Sequence, residues 1–247
     1  MAVSFNRKQA LHDAAQMFRL FRKNQGDNLA KHIKKGVSGN PFLLPYLASL
    51  IDGGTVSARG IAQAIVLPRA LGVSASTSFG TRLQKYVVQS IPTAGASSVS
   101  GFDIVFFDHV DGYERHAQLK LGPDTINKGD VASIQNELAK AYRLERTNGG
   151  NPRHGKYCMG VLYGQMDDLN GHYLAINQDH PVIVGKDLWH RITGDQDFYN
   201  DLAAVFEMVS KEKTSGTNSL EDALQSLSED ASVKAFLAQL RKSAENI

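Results

Sequence analysis

The sequence has a single cysteine, Cys158, among its 247 residues. One thiol cannot form an internal disulfide or a multi-cysteine zinc site, so the sequence excludes both kinds of framework. Its apolar runs are short, and none of them reaches the ~18 residues that a membrane-spanning helix needs. The start of the chain, MAVSFNRKQ, is polar and basic, and no apolar signal-peptide core follows it. We therefore expect a cytoplasmic protein without a membrane-inserted segment.

Several catalytic signatures are absent as well. The sequence contains no HExxH, GxGxxG or GxSxG, and its eight histidines have no cysteine partners for zinc. Gly150 and Gly155-Lys156 have the spacing of a phosphate-binding loop, but Tyr157 stands where that motif needs Ser or Thr. The segment also precedes a predicted strand instead of following one, which argues against a nucleotide site. Cys158 lies in an apolar segment, which predicts a buried, inert thiol.

Charge is unevenly distributed along the chain, although the net charge is only +2. Residues 1–40 contain eight Lys/Arg and two Asp, residues 41–186 are nearly neutral, and residues 187–247 contain six Lys/Arg and eleven Asp/Glu. This asymmetry is typical of a protein that offers one side to a polyanion. Solvated helix faces are the simpler explanation of the same pattern.

The apolar pattern has a helical period in the first third, alternates in the middle and returns to a helical period at the end. Asp111-Gly112, between two β-rich runs, predicts a hairpin turn. The expected elements are a helix at about 5–24, a break at 24–27, a short helix from Leu29 to near Gly36, helices at 57–71 and 77–91, a loop at 93–101, strands at 102–107 and 113–121, a helix at about 130–146, strands at 156–164, 172–177 and 181–185, and helices within 187–246 with a break at 214–219.

This order of elements predicts an α/β (α+β) fold in which helices flank a central mixed β-sheet. We expect residues 1–247 to form a single domain. Its parts would be a mostly helical segment at 1–92, an α/β core with the catalytic residues at 93–186, and a helical segment at 187–247.

One constellation in the predicted hairpin has the chemistry of a phosphodiesterase. Asp103 begins the first strand, and Gln118-Leu119-Lys120 closes the second. Gln118 and Lys120 are two residues apart and project to the same face, while Leu119 turns to the core. The Asp103 carboxylate, the Gln118 amide oxygen and the Leu119 backbone carbonyl would suffice for Mg²⁺. Lys120 would orient or deprotonate the attacking water and stabilise charge on the phosphate. An unrelated hairpin can also carry an Asp and a Lys.

The surrounding sequence, GFDIVFFDHVDGYERHAQLKLGPDTINKGDVASIQNELAKAY, resembles the catalytic core of the PD-(D/E)XK nucleases. Among them it is most similar to type II restriction endonucleases that cut GGNCC-centred DNA sites. Supporting segments are GNPFLLPYL at 39–47, VLPRALG at 66–72, FGTRLQKYV at 79–87 and GVLYGQMDDLNGHYLAIN at 160–177, so that the resemblance covers roughly residues 36–200.

The resemblance implies a restriction-endonuclease-like core, with Asp103 as the metal-binding acid and Lys120 as the motif lysine. Gln118 occupies the second acidic position, and this is a departure from the family pattern. A neutral amide binds a divalent ion more weakly than a carboxylate, so either the site tolerates Gln118 or the chain is impaired. Glu114, on the same strand face, is an alternative carboxylate, but it lies four positions further from the site.

The same resemblance implies a homodimer that cuts a palindrome in double-stranded DNA with Mg²⁺, for which Mn²⁺ is expected to substitute. A cognate DNA methyltransferase would act on the same site, as in restriction-modification systems, without binding this protein. Polar loop residues are candidates for DNA contacts, although loop polarity alone also explains them: Asn127, Lys128, Asn151, Arg153, His154 and Lys156. Two alternatives stay open, namely a DNA-binding protein with a decayed nuclease core and a repair or structure-specific nuclease on the same fold.

Overall fold

The computed structural model of the chain describes residues 5–33, 40–212 and 220–244. Within these ranges a five-stranded sheet is flanked by helices, which confirms the predicted α/β fold with a mixed sheet. The helices are α1 (Arg7–Ile33), α2 (Leu43–Ile51), α3 (Ala58–Leu71), α4 (Val73–Ser90), α5 (Lys128–Thr147), α6 (Gly171–Asn177), α7 (Gly185–Thr193), α8 (Phe198–Lys211), α9 (Leu220–Glu229) and α10 (Ala231–Ala244). The strands are β1 (Ala94–Ala96), β2 (Ile104–Asp108), β3 (Tyr113–Lys120), β4 (Tyr157–Val161) and β5 (Val182–Val184).

The strands lie in the order β1-β2-β3-β4-β5, and the sheet is mixed. Strand β2 is antiparallel to both β1 and β3, whereas β4 is parallel to both β3 and β5. The predicted hairpin is therefore confirmed, with Ile104 opposite Ala117 and Asp108 opposite Tyr113. Gly112 closes its four-residue turn with a φ of 71° and donates its N–H to the Asp108 carbonyl at 2.8 Å. A parallel pair needs a crossover connection, and α5 provides it between β3 and β4.

Helix α5 packs on the sheet face from which the candidate site residues project. Its Ile134, Leu138 and Ala141 share a core with Tyr157, Met159 and Val161 of β4. Residues that pair across a parallel ladder point to the same face, and the register joins Gln118 to Met159 and Lys120 to Val161. Gln118 and Lys120 consequently lie on the α5 side of the sheet.

The opposite face of β4 contains the single cysteine. Cys158 is fully buried, and its Sγ lies 3.6 Å from the His116 carbonyl oxygen. Burial raises the pKa of the thiol to about 12, because the thiolate would lose its hydration. The prediction of a buried, inert cysteine is confirmed.

The chain divides into two compact units. One comprises Met1–Phe18 and Gly80–Lys211 and contains the sheet; the other comprises Arg19–Phe79 and Glu212–Ile247. Among the described residues, the second unit has its own apolar core from helices α2, α3, α9 and α10: Leu44, Ala48, Ile61, Ile65, Leu224, Leu227 and Val233. All the candidate site residues lie in the first unit.

The structure corrects the prediction of a strand at 172–177, which is helix α6. Asn170 begins this helix, because its side chain accepts hydrogen bonds from the N–H groups of His172 and Tyr173. Tyr173 and Ile176 are both buried and are three residues apart, which is a helical spacing. The prediction was wrong because the short apolar run HYLAIN was assigned the alternating period of a strand instead of the helical period.

Two further boundaries differ from the prediction. Helix α1 continues through the expected break at 24–27 and reaches Ile33, because one glycine in a solvated helix costs only ~1 kcal/mol. The predicted loop at 93–101 contains the short edge strand β1, which pairs with β2. The expected end of a helix near Gly36 and the break at 214–219 lie outside the described residues.

Candidate active site

Asp103 lies where strands β2 and β3 separate. Its backbone N–H donates to the Ala117 carbonyl at 3.0 Å, and its Oδ2 accepts the Leu119 N–H at 2.6 Å. The Asp103 side chain thus accepts the Leu119 N–H, which would bond to a backbone carbonyl if β2 were longer. Ile104, the first residue of β2, pairs with Ala117. Extending the same register by one residue places Asp103, which precedes β2, opposite Gln118. The structure therefore brings together the Asp103 and Gln118 that the sequence analysis selected.

Gln118 is half-buried, and its Oε1 is a buried oxygen with no hydrogen-bond partner among the described residues. A buried polar atom without a partner costs about 1–3 kcal/mol, so an ordered water or a bound ion would stabilise this oxygen. An amide oxygen beside a carboxylate fits the all-oxygen ligand set of Mg²⁺. The residues present thus fit the predicted cation.

The third predicted ligand, the Leu119 carbonyl, faces helix α4. Gln84 of this helix donates from Nε2 to the Leu119 oxygen at 3.4 Å, which is long for a hydrogen bond. A cation at this carbonyl would therefore lie next to Gln84. The sequence analysis missed Gln84, and the available signal was an amide beside the buried stripe of Leu83, Tyr86 and Val87.

Lys120 is the last residue of β3 and projects beside Gln118. Within residues 5–33, 40–212 and 220–244 it has no ion-pair partner, which leaves its ammonium group available to a ligand. The backbone that follows it is held firmly: the Gly122 carbonyl accepts from Thr125 Oγ1 at 2.9 Å and from Tyr173 Oη at 3.1 Å. Strand β3 thus ends in a loop that these hydrogen bonds hold in place.

Two candidate DNA contacts lie at the same end of the sheet as Lys120. Asn127 caps α5, accepting the Gly129 N–H at 2.8 Å through its side-chain oxygen, and Asp130 accepts the Asn127 N–H at 2.8 Å. Lys128 is the exposed first residue of the helix. Asn127 therefore has a structural task in addition to any contact with DNA.

The remaining candidate DNA contacts lie at the other end of β3. They precede β4, which begins opposite His116, and four strand residues span about 13 Å. Lys156 is half-buried and paired with Glu145 at 2.7 Å, while the Arg153 guanidinium lies 5.4 Å from the centre of the Tyr113 ring. The structure does not bring this group together with the catalytic end: Asn151, Arg153, His154 and Lys156.

A buried ion network clamps the turn of the catalytic hairpin. Asp108 is fully buried, and its Oδ2 accepts from Arg115 Nε at 2.6 Å and from Arg191 Nη1 at 2.9 Å. Its Oδ1 accepts the N–H groups of Val110 at 2.8 Å and Asp111 at 3.0 Å. Burial opposes ionisation, but these hydrogen bonds outweigh it and lower the pKa of Asp108. The turn is therefore tied to β3 and to α7.

The described residues contain no group of three or more His, Cys, Asp or Glu that could hold a metal. The set formed by Asp103, Gln118 and the Leu119 carbonyl is not such a group, because only one of its three oxygen donors is a carboxylate. No helix in the described part of the chain is both long and apolar enough to span a membrane.

The family model described as type II restriction endonuclease EcoO109I matches residues 28–214, well over half of the chain. The matched range includes the whole sheet and every candidate site residue. No curated protein matches the chain. The resemblance to type II restriction endonucleases is confirmed by this match: the chain belongs to the type II restriction endonuclease EcoO109I family of DNA-binding, site-specific nucleases.

Proposed function

We propose that the protein hydrolyses phosphodiester bonds in double-stranded DNA with Mg²⁺, at a short palindrome of the GGNCC type. It would do so in the cytoplasm as the restriction enzyme of a restriction-modification pair, with a methyltransferase acting on the same site. One observation supports this most strongly: Asp103 is bonded to Leu119 N at 2.6 Å, opposite the unpartnered Gln118 oxygen and beside Lys120.

The proposed metal ligands are the Asp103 carboxylate, the Gln118 amide oxygen and the Leu119 carbonyl. When bound, Mg²⁺ supplies an activated water and offsets the charge that develops on the phosphate, and Mn²⁺ is expected to substitute for it. Asp103 is held in place by the Leu119 N–H, so its second oxygen, Oδ1, is left for the cation.

Lys120 is the proposed catalytic cation. The alternation of β3 aims it to the same side as Gln118, and the fixed loop after Gly122 limits its movement. In hydrolysis a water oxygen adds to phosphorus and the water gives up a proton, while one P–O ester bond breaks and the leaving oxygen takes up a proton. The Lys120 ammonium donates hydrogen bonds to the phosphate oxygens and the water, which stabilises the added charge.

Cleavage of both strands of a palindrome calls for two copies of the site related by a two-fold axis, so we propose a homodimer. Asn127 and Lys128 are the favoured candidates for base contacts, because they lie at the Lys120 end of the sheet. Arg153, His154 and Asn151 would serve contacts further along the DNA. Lys156 would first have to leave Glu145.

The experiment is to digest one long DNA duplex with Mg²⁺ and to sequence the fragment ends. We expect every end to fall in one recurring GGNCC-type palindrome, and Asp103→Ala should cut nothing while still binding DNA in Ca²⁺. Ends scattered over the sequence would instead indicate a repair or structure-specific nuclease. DNA binding without cleavage by the unaltered protein would indicate a decayed nuclease core. The amide of Gln118 at the acidic position is the feature that favours this alternative.

A further inference from the structure

The site described so far has one carboxylate, and helix α5 offers another. Helix α5 crosses the sheet face from which Gln118 and Lys120 project. On one flank of the helix, Gln135 Nε2 lies 3.4 Å from the Ala175 carbonyl oxygen of α6. Glu137 is two residues further on, about 200° round the helix, and thus lies on the opposite flank.

Glu137 lies against the segment that leads into Asp103. A Cβ atom built on Gly101 would be 2.7 Å from Glu137 Oε2, closer than real Cβ atoms approach other atoms. Gly101 also has a φ of 89°, a conformation that L-residues with side chains rarely adopt. Gly101 is two residues before Asp103, next to the point where the β2–β3 ladder ends. The glycine therefore leaves room for a carboxylate beside the strand end that carries Asp103.

Glu137 has no side-chain partner in the part of the chain that the structure describes. The side chain is half-buried, and within the described residues it forms no hydrogen bond or ion pair. Asp103 brings a second carboxylate to the same strand end, and carboxylate oxygens are ligands that Mg²⁺ takes in proteins.

On the basis of the Mg²⁺-dependent nuclease proposed above, we infer that Glu137 is the second carboxylate ligand of the metal site. The first carboxylate comes from Asp103, the amide oxygen from Gln118, and the second carboxylate from helix α5 instead of from strand β3. Glu137 would then replace the carboxylate that Gln118 lacks at the acidic position of the motif, so the metal would still have two carboxylate ligands. A chain with Gln118 in its QLK sequence could therefore be an active enzyme.

The test measures Mn²⁺ binding by electron paramagnetic resonance without DNA, and Mg²⁺-dependent cleavage separately. The variants are Glu137→Gln, which keeps the shape and removes the charge, and Glu137→Asp, which withdraws the carboxylate by one methylene. Glu114→Gln tests the alternative carboxylate on the strand: Glu114 is 63% exposed, pairs with His116 at 3.5 Å and lies four residues before Gln118. Fluorescence of Trp189, the only tryptophan and a buried one, checks that each variant is folded.

We expect Glu137→Gln to weaken Mn²⁺ binding by about tenfold or more, because affinity follows the charge of the ligand set. Cleavage should fall by about 10²-fold, Glu137→Asp should be intermediate, and Glu114→Gln should match the unaltered protein. The double variant Gln118→Glu/Glu137→Gln should regain Mn²⁺ affinity, because it returns the carboxylate to the strand.

Two results would overturn the inference. If Glu137→Gln binds Mn²⁺ as tightly as the unaltered protein, Glu137 is not a ligand, even if cleavage drops through a shift of Lys120. That outcome leaves the proposed function intact, because the unaltered protein still binds metal and cuts DNA. If the unaltered protein neither binds Mn²⁺ nor cuts, the proposed function and the inference both fail.

Discussion

Replacing Asp108 with Asn tests whether the buried ion network stabilises the catalytic hairpin. Asp108 accepts four hydrogen bonds, two from backbone N–H groups of the turn and two from Arg115 and Arg191. Asn has one side-chain oxygen, so an amide NH₂ would face either the turn or two guanidinium groups. Removing one partner of a buried ion pair costs about 3–5 kcal/mol, because the other charge stays buried. Arg115 keeps its bonds to Asp111 and the Gly155 carbonyl, so we expect the lower end, about 3 kcal/mol.

The assay is urea unfolding followed by Trp189 fluorescence, which reports on the unit that contains the sheet. With a slope of about 1–3 kcal/mol/M, the midpoint should fall by about 1 M or more. The control is Asp187→Asn, because Asp187 is 56% exposed and, among the described residues, pairs with Arg191 alone, at 3.0 Å. Exposed pairs contribute within ~1 kcal/mol. If both variants lose the same free energy of unfolding, the buried network does not stabilise the hairpin as argued.

The stabilisation by Asp108 should also depend on pH. The pKa of folded Asp108 lies below its ordinary value of 3.8, so its stabilisation is fully present above that value. It is lost as the pH falls through the lower folded value. The difference in unfolding free energy between the unaltered protein and Asp108→Asn should therefore be constant from about pH 7 to 5 and should shrink below about pH 4. A difference that grows in acid would contradict the sign of this argument.

Three further predictions concern the proposed activity. Lys120→Ala should cut at least ~10²-fold more slowly with unchanged Trp189 fluorescence, because the Lys120 side chain is only half-buried and has no ion-pair partner among the described residues; normal cutting would exclude a catalytic lysine. In Gln118→Glu the Mg²⁺ concentration for half-maximal cleavage should fall, since a carboxylate attracts the cation more strongly than an amide; superimposable metal curves would mean that position 118 does not touch the metal. Sedimentation at micromolar concentration should give about 54 kDa, twice the chain mass of 27.0 kDa, and a stable monomer on DNA would contradict the dimer.

The sequence predicts the hairpin well, because the signal lies in the strands themselves. The alternation of YERHAQLK matches the burial of Arg115, Ala117 and Leu119, although His116 on the other face is buried too, and the hairpin register brings Asp103 opposite Gln118. Prediction fails for HYLAIN, where a short apolar run is compatible with either period and the Asn170 cap decides for a helix.

Contacts between distant segments could not be predicted from the sequence. Nothing near Gln84 in the chain indicates that it reaches the Leu119 carbonyl, 35 residues away. Lys156 reads as a free loop cation, but the fold places Glu145 of α5 within 2.7 Å of it. Glu137 looks like an ordinary helical surface acid until the crossover lays it against Gly101. In each case the partner is set by packing and not by local pattern.

The tip of the catalytic hairpin should tolerate changes of residue type but not of length. Surface turns usually accept insertions readily. Here Asp108 bonds the Val110 and Asp111 N–H groups and the Gly112 N–H returns to Asp108, so an extra residue cannot bulge outward without breaking these bonds. If it instead slips the pairing by one position, every β3 side chain changes face, and Gln118 and Lys120 turn away from α5. A turn about 17 Å from Gln118, by the length of five strand residues, thus sets which way the Gln118 and Lys120 side chains point.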